Sequence, residues 1–547
     1  MIRKSIAAGL LLTMLTGVPG TALAAESTTP NPTDPATAPA APGSSLMPTA
    51  PAALPSWPGS GGGPSRNSTT ADALGPALYV RWKVDLDAAS LTTPVVAAGR
   101  AYTGTFAGTV YALDAQTGRQ IWSFRPNLDG FSKVRGLAYA DGRLYLTGST
   151  TAGNALVALD VSGEGEPSQL WQATLPDWSA SSPLVAGGVV VAGCNDGTLV
   201  AYDQATGAER WRQQFTGDFW RANQAASGQT LVALSYMGKV AAFDLITGQS
   251  LWSQSLGGYF EPGASPVIDG DTVYVASSQD WTGKVAAYDL TTGQQRWAYQ
   301  TSRQDNLWMT PVVSRGRVIA PLQGAVYTLD AATGSLLAAP TDLDVYKENR
   351  RTYRPTLHTP VVGKDVLWLP ATFEVNGPQR LYTLGAESGA VVTPSVWVST
   401  LPARLGSGLA YAGGVLCFTG QDNRLYAMSA PAVKVEGESV AFPDVPAHFS
   451  DAGRFMVPLR FILESMGATV DWIQETRTVV VHRGDTVIEM KQGSRDVTVN
   501  GQVRTMDTEV TAVGGRTVVP LRFLTDWLGG SLDWDQPTLT ATLHLPQ

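Results

Sequence analysis

Side chains able to do acid–base or metal chemistry are scarce in this sequence. The chain has 547 residues but only four histidines and two cysteines. His448, His482 and His544 lack ligand spacing, whereas a copper site needs clustered imidazoles. The glycine-rich stretch Gly406-Ser-Gly408 follows no phosphate-binding strand–loop–helix pattern. We therefore predict no catalytic residue, no metal ligand and no bound cofactor.

Aromatic and arginine side chains form the most distinctive set of candidate functional residues. They lie in segments that connect a tryptophan-bearing strand to the next β-branched strand. Aromatic and arginine side chains on a rigid platform are typical of binding surfaces, so we predict a binding face. The alternative is that the aromatic rings fill a central channel. The predicted face consists of Phe131, Trp220, Arg221, Tyr259, Phe260, Trp308, Tyr346, Arg350, Arg351 and Tyr353.

A sequence repeat must position these segments. A hydrophobic strand, an aspartate, a Thr-Gly turn and a tryptophan recur, with aspartates 41 to 46 residues apart from Asp114 to Asp330. A period of about 40–45 residues indicates an array of four-stranded blades. Weaker copies at 381–389 and 425–429 bring the number to eight. The clearest copies supply Asp114, Gly118 and Trp122; Asp203, Gly207 and Trp211; Asp244, Gly248 and Trp252; and Asp289, Gly293 and Trp297.

Each residue type that recurs in the repeat has a structural role. The aspartate can accept hydrogen bonds from backbone N–H groups two or three residues further on. The turn glycine tolerates a positive φ. The tryptophan is expected to fill space between adjacent blades. Ser-Pro or Thr-Pro pairs such as Thr93-Pro94 open the first strand of a unit, where proline costs no ladder hydrogen bond.

A strand that contains a tryptophan precedes the first copy of the repeat and belongs to none of the eight copies. The strand Tyr79–Leu86 contains Trp82, and the eighth copy, which ends near Met428, lacks a tryptophan strand. We predict that the N-terminal strand completes the eighth blade. Closure of this kind buries both open sheet edges.

The motif Ala112–Trp122 resembles the repeat of the eight-bladed quinoprotein-like propeller family, and the resemblance covers about 76–430. It implies one enzymatic alternative, a dehydrogenase that holds pyrroloquinoline quinone over calcium on the ring axis. Such enzymes commonly carry adjacent cysteines that form a disulfide, a calcium-binding carboxylate set and a catalytic aspartate. Cys194 and Cys417 are far apart in sequence, and most acidic residues lie in repeat turns. We therefore expect two buried thiols and no enzymatic activity.

The composition indicates an exported protein. Residues 1–25 read as a signal peptide, with Arg3 and Lys4 before a short apolar stretch. Residues 26–75 are rich in Pro, Thr, Ala and Gly and are predicted to be a disordered linker. No other long apolar run occurs, so we expect no transmembrane segment in the mature chain. A net charge of −8 without a basic patch argues against nucleic acid.

The C-terminal residues contain a second duplication. The motif Val-Pro-Leu-Arg, followed by Gly and Asp-Trp, occurs at Pro458-Leu-Arg460 and again 62 residues later at Pro520-Leu-Arg522. Each copy predicts a strand, a helix with the proline in its first turn, and a hairpin. We expect Arg460 and Arg522 to tie the helix start to a carboxylate or carbonyl. Residues 431–547 (copies at about 431–495 and 496–547) resemble the copper-amine-oxidase-N-terminal-like, or stalk, domain.

The predicted architecture is an all-β eight-bladed propeller closed by an N-terminal strand over 76–430, followed by a small duplicated α+β domain. We predict a non-catalytic binding or scaffold protein of the bacterial envelope, located outside the cell, at its surface or in the periplasm. An envelope protein or a cell-wall polymer is the expected partner. The alternatives are the quinone dehydrogenase and a scaffold like the outer-membrane-barrel assembly propeller.

Overall fold

The computed structural model is an all-β structure with two short helices, which confirms the all-β class. None of the helices in the described part of the chain is long and apolar enough to cross a membrane. The structure describes residues 56–70, 77–179, 181–215, 224–258, 264–279, 282–301, 310–322, 324–343, 346–348, 351–353, 355–364, 366–373, 378–386, 399–443, 445–450 and 452–545.

The first half of the repeat region folds into antiparallel sheets whose strands pair in sequence order. Strand β1 (Tyr79–Asp85) precedes them. Sheet 1 has β2 (Val95–Ala97), β3 (Arg100–Gly104), β4 (Val110–Asp114) and β5 (Gln120–Phe124); sheet 2 has β6 (Ser132–Ala140), β7 (Arg143–Thr150), β8 (Gly153–Asp160) and β9 (Ser168–Leu175); sheet 3 has β10 (Leu184–Ala186), β11 (Val189–Gly193), β12 (Thr198–Asp203) and β13 (Glu209–Gln214); sheet 4 has β14 (Gln224–Ser227), β15 (Thr230–Leu234), β16 (Lys239–Asp244) and β17 (Ser250–Ser255).

The second half continues the pattern, with a two-stranded ribbon between sheets 6 and 7. Sheet 5 has β18 (Val267–Asp269), β19 (Thr272–Gln279), β20 (Thr282–Asp289) and β21 (Gln295–Gln300); sheet 6 has β22 (Val312–Ser314), β23 (Arg317–Leu322), β24 (Ala325–Asp330) and β25 (Thr341–Asp342); the ribbon has β26 (Tyr346–Glu348) and β27 (Arg351–Tyr353); sheet 7 has β28 (Thr356–Leu357), β29 (Val361–Val362), β30 (Val366–Thr372), β31 (Arg380–Gly385) and β32 (Ser399–Thr400); sheet 8 has β33 (Ala410–Ala412), β34 (Val415–Thr419) and β35 (Arg424–Ser429).

Tryptophan and glycine lock neighbouring sheets together. Trp211 of sheet 3 donates its indole N–H to the carbonyl of Leu245 beside sheet 4 at 3.0 Å. The ring lies against Gly248, where an added Cβ would meet Trp211 Cδ2 at 2.6 Å. Gly248 also has a φ of 74°, which favours glycine for a second reason. The same tryptophan–glycine contact recurs in Trp171 with Gly207, Trp252 with Gly293 and Trp297 with Gly334.

Strand β1 makes the same contact from the N-terminal end of the chain. It pairs antiparallel with β35 of sheet 8, with Trp82 opposite Ala427. The indole N–H of Trp82 donates to the carbonyl of Ala115 at 3.0 Å, and the ring lies against Gly118 of sheet 1. One buried apolar cluster therefore joins residues of sheets 7, 8 and 1.

Residues 56–70 are ordered, which corrects the prediction of a disordered linker for this part of 26–75, whereas 26–55 and 71–75 lie outside the described residues. This segment, which we call the strap, forms isolated bridges to sheets 1, 2 and 7. Trp57 is only 2% exposed, and its backbone exchanges two hydrogen bonds with Val96. The composition argument failed because the strap is ordered through backbone hydrogen bonds to sheet edges rather than through a hydrophobic face of its own.

The C-terminal residues form a separate core around the two duplicated units. The first and last strands of this part, β36 and β48, pair in parallel, and β39 pairs with β46 across the two copies. The elements are β36 (Ala432–Val435), β37 (Glu438–Ser439), β38 (His448–Phe449), β39 (Phe455–Pro458), α1 (Leu459–Ser465), β40 (Thr469–Ile473), β41 (Thr478–Arg483), β42 (Thr486–Lys491), β43 (Asp496–Val499), β44 (Gln502–Thr505), β45 (Thr511–Val513), β46 (Arg516–Pro520), α2 (Leu521–Leu528), β47 (Ser531–Asp535) and β48 (Thr540–His544).

Two details of the duplicated units differ from the prediction. Pro458 and Pro520 end strands and cap the helices in an extended conformation, so the helices begin one residue later than predicted. Arg460 reaches Glu464 of its own helix at 3.3 Å. Arg522 is exposed, and its guanidinium makes no hydrogen bond or ion pair with a described residue, so the two arginine side chains do not share one role.

Candidate functional site

The strap lies along the first strands of the sheets, and this places it at the centre of the repeat region. The N–H groups of Tyr139, Ala226 and Ile268 donate to strap carbonyls at 2.7, 2.8 and 3.0 Å. These three residues belong to sheets 2, 4 and 5. Further along, Val362 of sheet 7 donates to Ser68 at 2.9 Å. The strap therefore satisfies edge groups that the sheets leave unpaired.

Two strap side chains also form hydrogen bonds with backbone groups of the sheets. Asn67 donates to the carbonyl of Val313 in sheet 6 at 2.8 Å, and its own carbonyl accepts from the Val313 N–H at 3.0 Å. Arg66 is 2% exposed and donates to the carbonyls of Gln224 at 2.9 Å and Ser182 at 3.2 Å. Together with the backbone contacts, the strap binds seven of the eight sheets.

The charge of Arg66 is held by carbonyl dipoles. Its third contact is the carbonyl of Ser60, at 2.6 Å, within the strap itself. Burial lowers the pKa of the Arg66 guanidinium to about 10, because desolvation disfavours the charged form. The side chain thus remains protonated at neutral pH and places a positive charge near the centre.

A cavity of about 380 Å³, which we call the central cavity, lies beside Arg66. Its walls include strap residues and residues from seven sheets. Hydroxyl groups of the Ser-Pro and Thr-Pro pairs are a recurrent part of the lining, because each pair directly precedes a short inner strand: β2, β10, β18, β22 or β29. These hydroxyl residues are Thr93, Ser182, Ser265, Thr310 and Thr359.

Two further basic residues line the central cavity. The guanidinium of Arg135 lies over the ring of Trp178 at 4.9 Å. His358 contacts the hydroxyl of Thr372 through Nε2 at 3.0 Å. Burial, helped by the nearby charge of Arg404, lowers the pKa of His358 to about 4, so the imidazole is neutral at physiological pH.

The residues present do not fit the calcium and quinone arrangement that the quinoprotein resemblance implies. Calcium takes six to eight oxygen ligands, usually with carboxylates among them. No Asp or Glu occurs among the described residues that line the central cavity, and the buried Arg66 would repel a cation there. The described chain also holds no group of three or more His, Cys, Asp or Glu side chains placed to share a metal ion.

The two cysteines are free and buried. The prediction of two buried thiols is confirmed, with Cys417 on β34 of sheet 8 and Cys194 directly after β11 of sheet 3. Burial raises the pKa of each thiol to about 12. Neither is therefore a reactive thiolate near neutral pH.

The structure describes only part of the predicted binding face. Phe131 is 3% exposed and packs against Gly148 in the core between sheets 1 and 2, so it is not a surface residue. The backbone of Tyr346 pairs with Tyr353 in the ribbon of β26 and β27, which also contains Arg351. The remaining predicted positions lie outside the described residues: Trp220, Arg221, Tyr259, Phe260, Trp308 and Arg350.

Sequence reasoning missed the strap and the hydroxyl lining of the central cavity. Both had a signal. Trp57 is the single aromatic residue and Arg66 the single basic residue of 26–75, and both are buried. The second signal is the hydroxyl residue that precedes the proline in each of the five Ser-Pro and Thr-Pro pairs.

Repeated four-stranded sheets, interlocked by tryptophan and glycine, define a β-propeller repeat protein of the quinoprotein-like type. The family model described as "Outer membrane protein assembly factor BamB" matches residues 79–130, 106–262 and 168–393, which together make up more than half of the chain. The chain belongs to this family. Residues 434–543 match the model of the copper amine oxidase N-terminal domain, which confirms the second resemblance.

Individual relatives are similar over shorter stretches. Outer membrane protein assembly factor BamB of Burkholderia pseudomallei (strain K96243) is 30% identical over 119 residues, which cover 22% of this chain and 29% of that protein. Quinohemoprotein alcohol dehydrogenase ADH-IIG of Pseudomonas putida is 33% identical over 151 residues, covering 24% and 20%. The chain thus spans less than a third of either relative.

Two solved structures align with large parts of the chain. The crystal structure of BamB from Moraxella catarrhalis aligns with a TM-score of 0.49 at 19% identity, covering 64% of this chain and 98% of that one. The quinohemoprotein alcohol dehydrogenase ADHIIG structure from Pseudomonas putida aligns with a TM-score of 0.49 at 15% identity, covering 72% and 82%.

Proposed function

We propose that the protein is an exported, non-catalytic binding scaffold of the bacterial cell envelope. The single observation that carries this proposal is the strap. Residues 56–70 lie where the quinoprotein resemblance places a redox cofactor, and they hold a buried guanidinium there. A centre occupied by the chain itself leaves the peripheral loops of the sheets as the surface for recognition.

The scaffold is proposed to be a closed ring of eight blades over 76–430, with the duplicated domain from about 431 attached to it. Support comes from β1, because Trp82 contacts Gly118 and Ala115 in the way that tryptophans of other sheets contact the next sheet. The strand pairing of β1 with β35 supplies the fourth strand of sheet 8. Strand β1 thereby connects the last blade to the first.

The C-terminal domain makes further contacts with strand β1. The hydroxyl of Tyr79 on β1 accepts a hydrogen bond from the backbone N–H of Phe449 at 2.8 Å, and the two rings lie 4.9 Å apart. Arg81 donates to the carbonyl of Pro537 at 2.7 Å. Strand β1 is thus held by sheet 8 and by the C-terminal domain together.

The partner is proposed to be an envelope protein. The family match and the BamB relative favour this choice, because both descriptions concern outer membrane protein assembly. A role in assembling outer-membrane proteins is the second candidate. Quinone-dependent dehydrogenation, suggested by the other relative, is disfavoured by the lining of the central cavity.

Capture from native envelopes tests the proposal. The full-length protein, crosslinked in the envelope and purified, should retain a defined set of envelope proteins. The double substitution Trp220→Ala and Trp308→Ala should remove them without lowering the melting temperature. Met237→Ala is the control, since Met237 is a large exposed apolar residue outside the predicted face. Equal retention by the double variant would contradict the assigned face, and retention of nothing by the wild type would contradict the scaffold role.

A further inference from the structure

The first copy of the C-terminal duplication carries an open groove of about 320 Å³, which we call the Trp472 groove. It lies between α1, β40 and the hairpin of β45 and β46. Trp472, Phe461 and Arg516 contribute the larger side chains, and Gln474, Gln492 and Asp471 add amide and carboxylate groups. A volume near the lower end of the usual ~300–1,000 Å³ range suits a single small ring.

The indole of Trp472 is partly exposed, and its N–H already has a partner. Its N–H donates to the side-chain carbonyl of Gln474 at 2.7 Å, so the polar edge of the ring is already satisfied. The side chain is 39% exposed. No other aromatic ring of the described chain contacts it. An indole fixed in this way is a platform for a flat ligand.

The second copy carries a tryptophan that is as exposed, at 38%, but has aromatic neighbours. Trp534 occupies the matching position, and its N–H donates to Gln536 in the same way, at 2.9 Å. Unlike Trp472, it contacts two rings of its own chain, Phe455 at 5.4 Å and Phe449 at 5.8 Å. The position that matches Phe455 in the other half of the duplication is Thr517, which lines the Trp472 groove. The first copy therefore keeps the platform but lacks the aromatic rings that make edge-to-face contacts with the indole in the second copy.

The charges around the groove are balanced. Arg460 pairs with Glu464 at 3.3 Å, and Arg516 lies over the ring of Phe461 at 5.4 Å. Asp471 is the carboxylate among the described lining residues, and Glu464 offsets Arg460 from outside the lining, so the formal charges of these four groups cancel. A neutral ligand rich in hydroxyl groups finds both donors and acceptors on such a surface.

We propose that the Trp472 groove binds a pyranose unit of a neutral glycan chain. The axial C–H groups of a pyranose form an apolar face that packs on the indole, and the surrounding hydroxyls reach Gln474, Gln492 and Asp471. Stacking of a C–H face uses the negative face of the aromatic ring. This site is separate from the propeller face and does not depend on the function proposed for it.

The test is calorimetric titration of the full-length protein with two neutral probes, chitotetraose and cellotetraose. We expect saturable binding of at least one probe, accompanied by a change in tryptophan fluorescence. Trp472→Ala should weaken binding by at least tenfold. Thr517→Phe places beside Trp472 a ring that corresponds to the Phe455 ring beside Trp534. This variant should also weaken binding by at least tenfold, although the Trp472 indole is still present.

Trp534→Ala is the matched control, because it removes an equally exposed indole that contacts Phe455 and Phe449 and lies outside the Trp472 groove, and it should leave the affinity unchanged. Absence of binding for both probes at millimolar concentration overturns the proposal. Unchanged affinity in either Trp472→Ala or Thr517→Phe overturns it as well, as does an equal loss in Trp534→Ala. The Thr517→Phe result keeps the test valid if Trp472→Ala fails to fold.

Discussion

The guanidinium of Arg66 donates to the backbone carbonyl of Gln224 at 2.9 Å, across 158 residues of sequence. This contact joins a segment that precedes the first repeat to the first strand of sheet 4. It shows that the strap is an integral part of the propeller rather than a spacer before it.

Replacing Arg66 by methionine should destabilise the whole propeller. The methionine fills similar space but leaves the carbonyls of Gln224, Ser182 and Ser60 without a donor, and unmade hydrogen bonds of buried groups cost about 1–3 kcal/mol. Chemical denaturation of Arg66→Met should show this loss. The exposed Arg119 provides the control, since Arg119→Met should stay within about 0.5 kcal/mol of the wild type. Equal stability of the two variants would mean that the strap does not hold the sheets.

Adding a methyl group at Gly248 should cost more than adding one at Gly228. Both glycines have positive φ, 74° and 57°, so alanine is strained at either position. An added Cβ at Gly248 would clash with the Trp211 ring, whereas nothing lies within 4 Å of the Cβ position at Gly228. We expect Gly248→Ala to lose about 1–3 kcal/mol beyond Gly228→Ala in thermal unfolding. Matching losses would contradict the tryptophan–glycine interlock.

The turn aspartates should make the stability depend on acid pH. The pKa of Asp244 lies below its usual range, because the backbone N–H and the hydroxyl of Thr247 donate to the carboxylate. A lowered folded-state pKa stabilises fully above the unfolded-state pKa of about 3.9, and the stabilisation is lost as the pH falls through the folded-state value. The gap in melting temperature between wild type and Asp244→Asn should therefore shrink below about pH 4. A constant gap between pH 6 and pH 3 would argue against this role.

The cysteines should react only when the protein unfolds. Burial raises the pKa of Cys194 and of Cys417 to about 12, so neither thiolate forms at about pH 8 in the folded state. A thiol-reactive dye should label neither residue in the native protein and both in guanidinium chloride. Rapid labelling of one cysteine under native conditions would show that its sheet opens locally.

The sequence predicts the repeats well and the centre poorly, for physical reasons. The sequence predicts Trp82 in the eighth sheet because most units have an indole at the same place in the repeat. Residues 56–70 have no hydrophobic period, since their order comes from backbone hydrogen bonds to strand edges that are separated widely in sequence. Phe131 was assigned to the surface because its segment departs from the repeat, but the same departure lets its ring pack against Gly148.

The C-terminal duplication shows a similar limit. The equal spacing of Trp472 and Trp534 predicts equal folds, which the structure has. It does not predict that only Trp534 has aromatic neighbours, because that difference comes from Phe455 and Thr517 in the opposite halves of the duplication.

The central claim is that the strap, and not a redox cofactor, occupies the middle of a binding scaffold. Titration of the full-length protein with pyrroloquinoline quinone and calcium tests it most directly, with dye reduction in the presence of alcohols or glucose followed in the same samples. We predict no saturable quinone binding and no dye reduction. Stoichiometric binding with sustained turnover would contradict the claim.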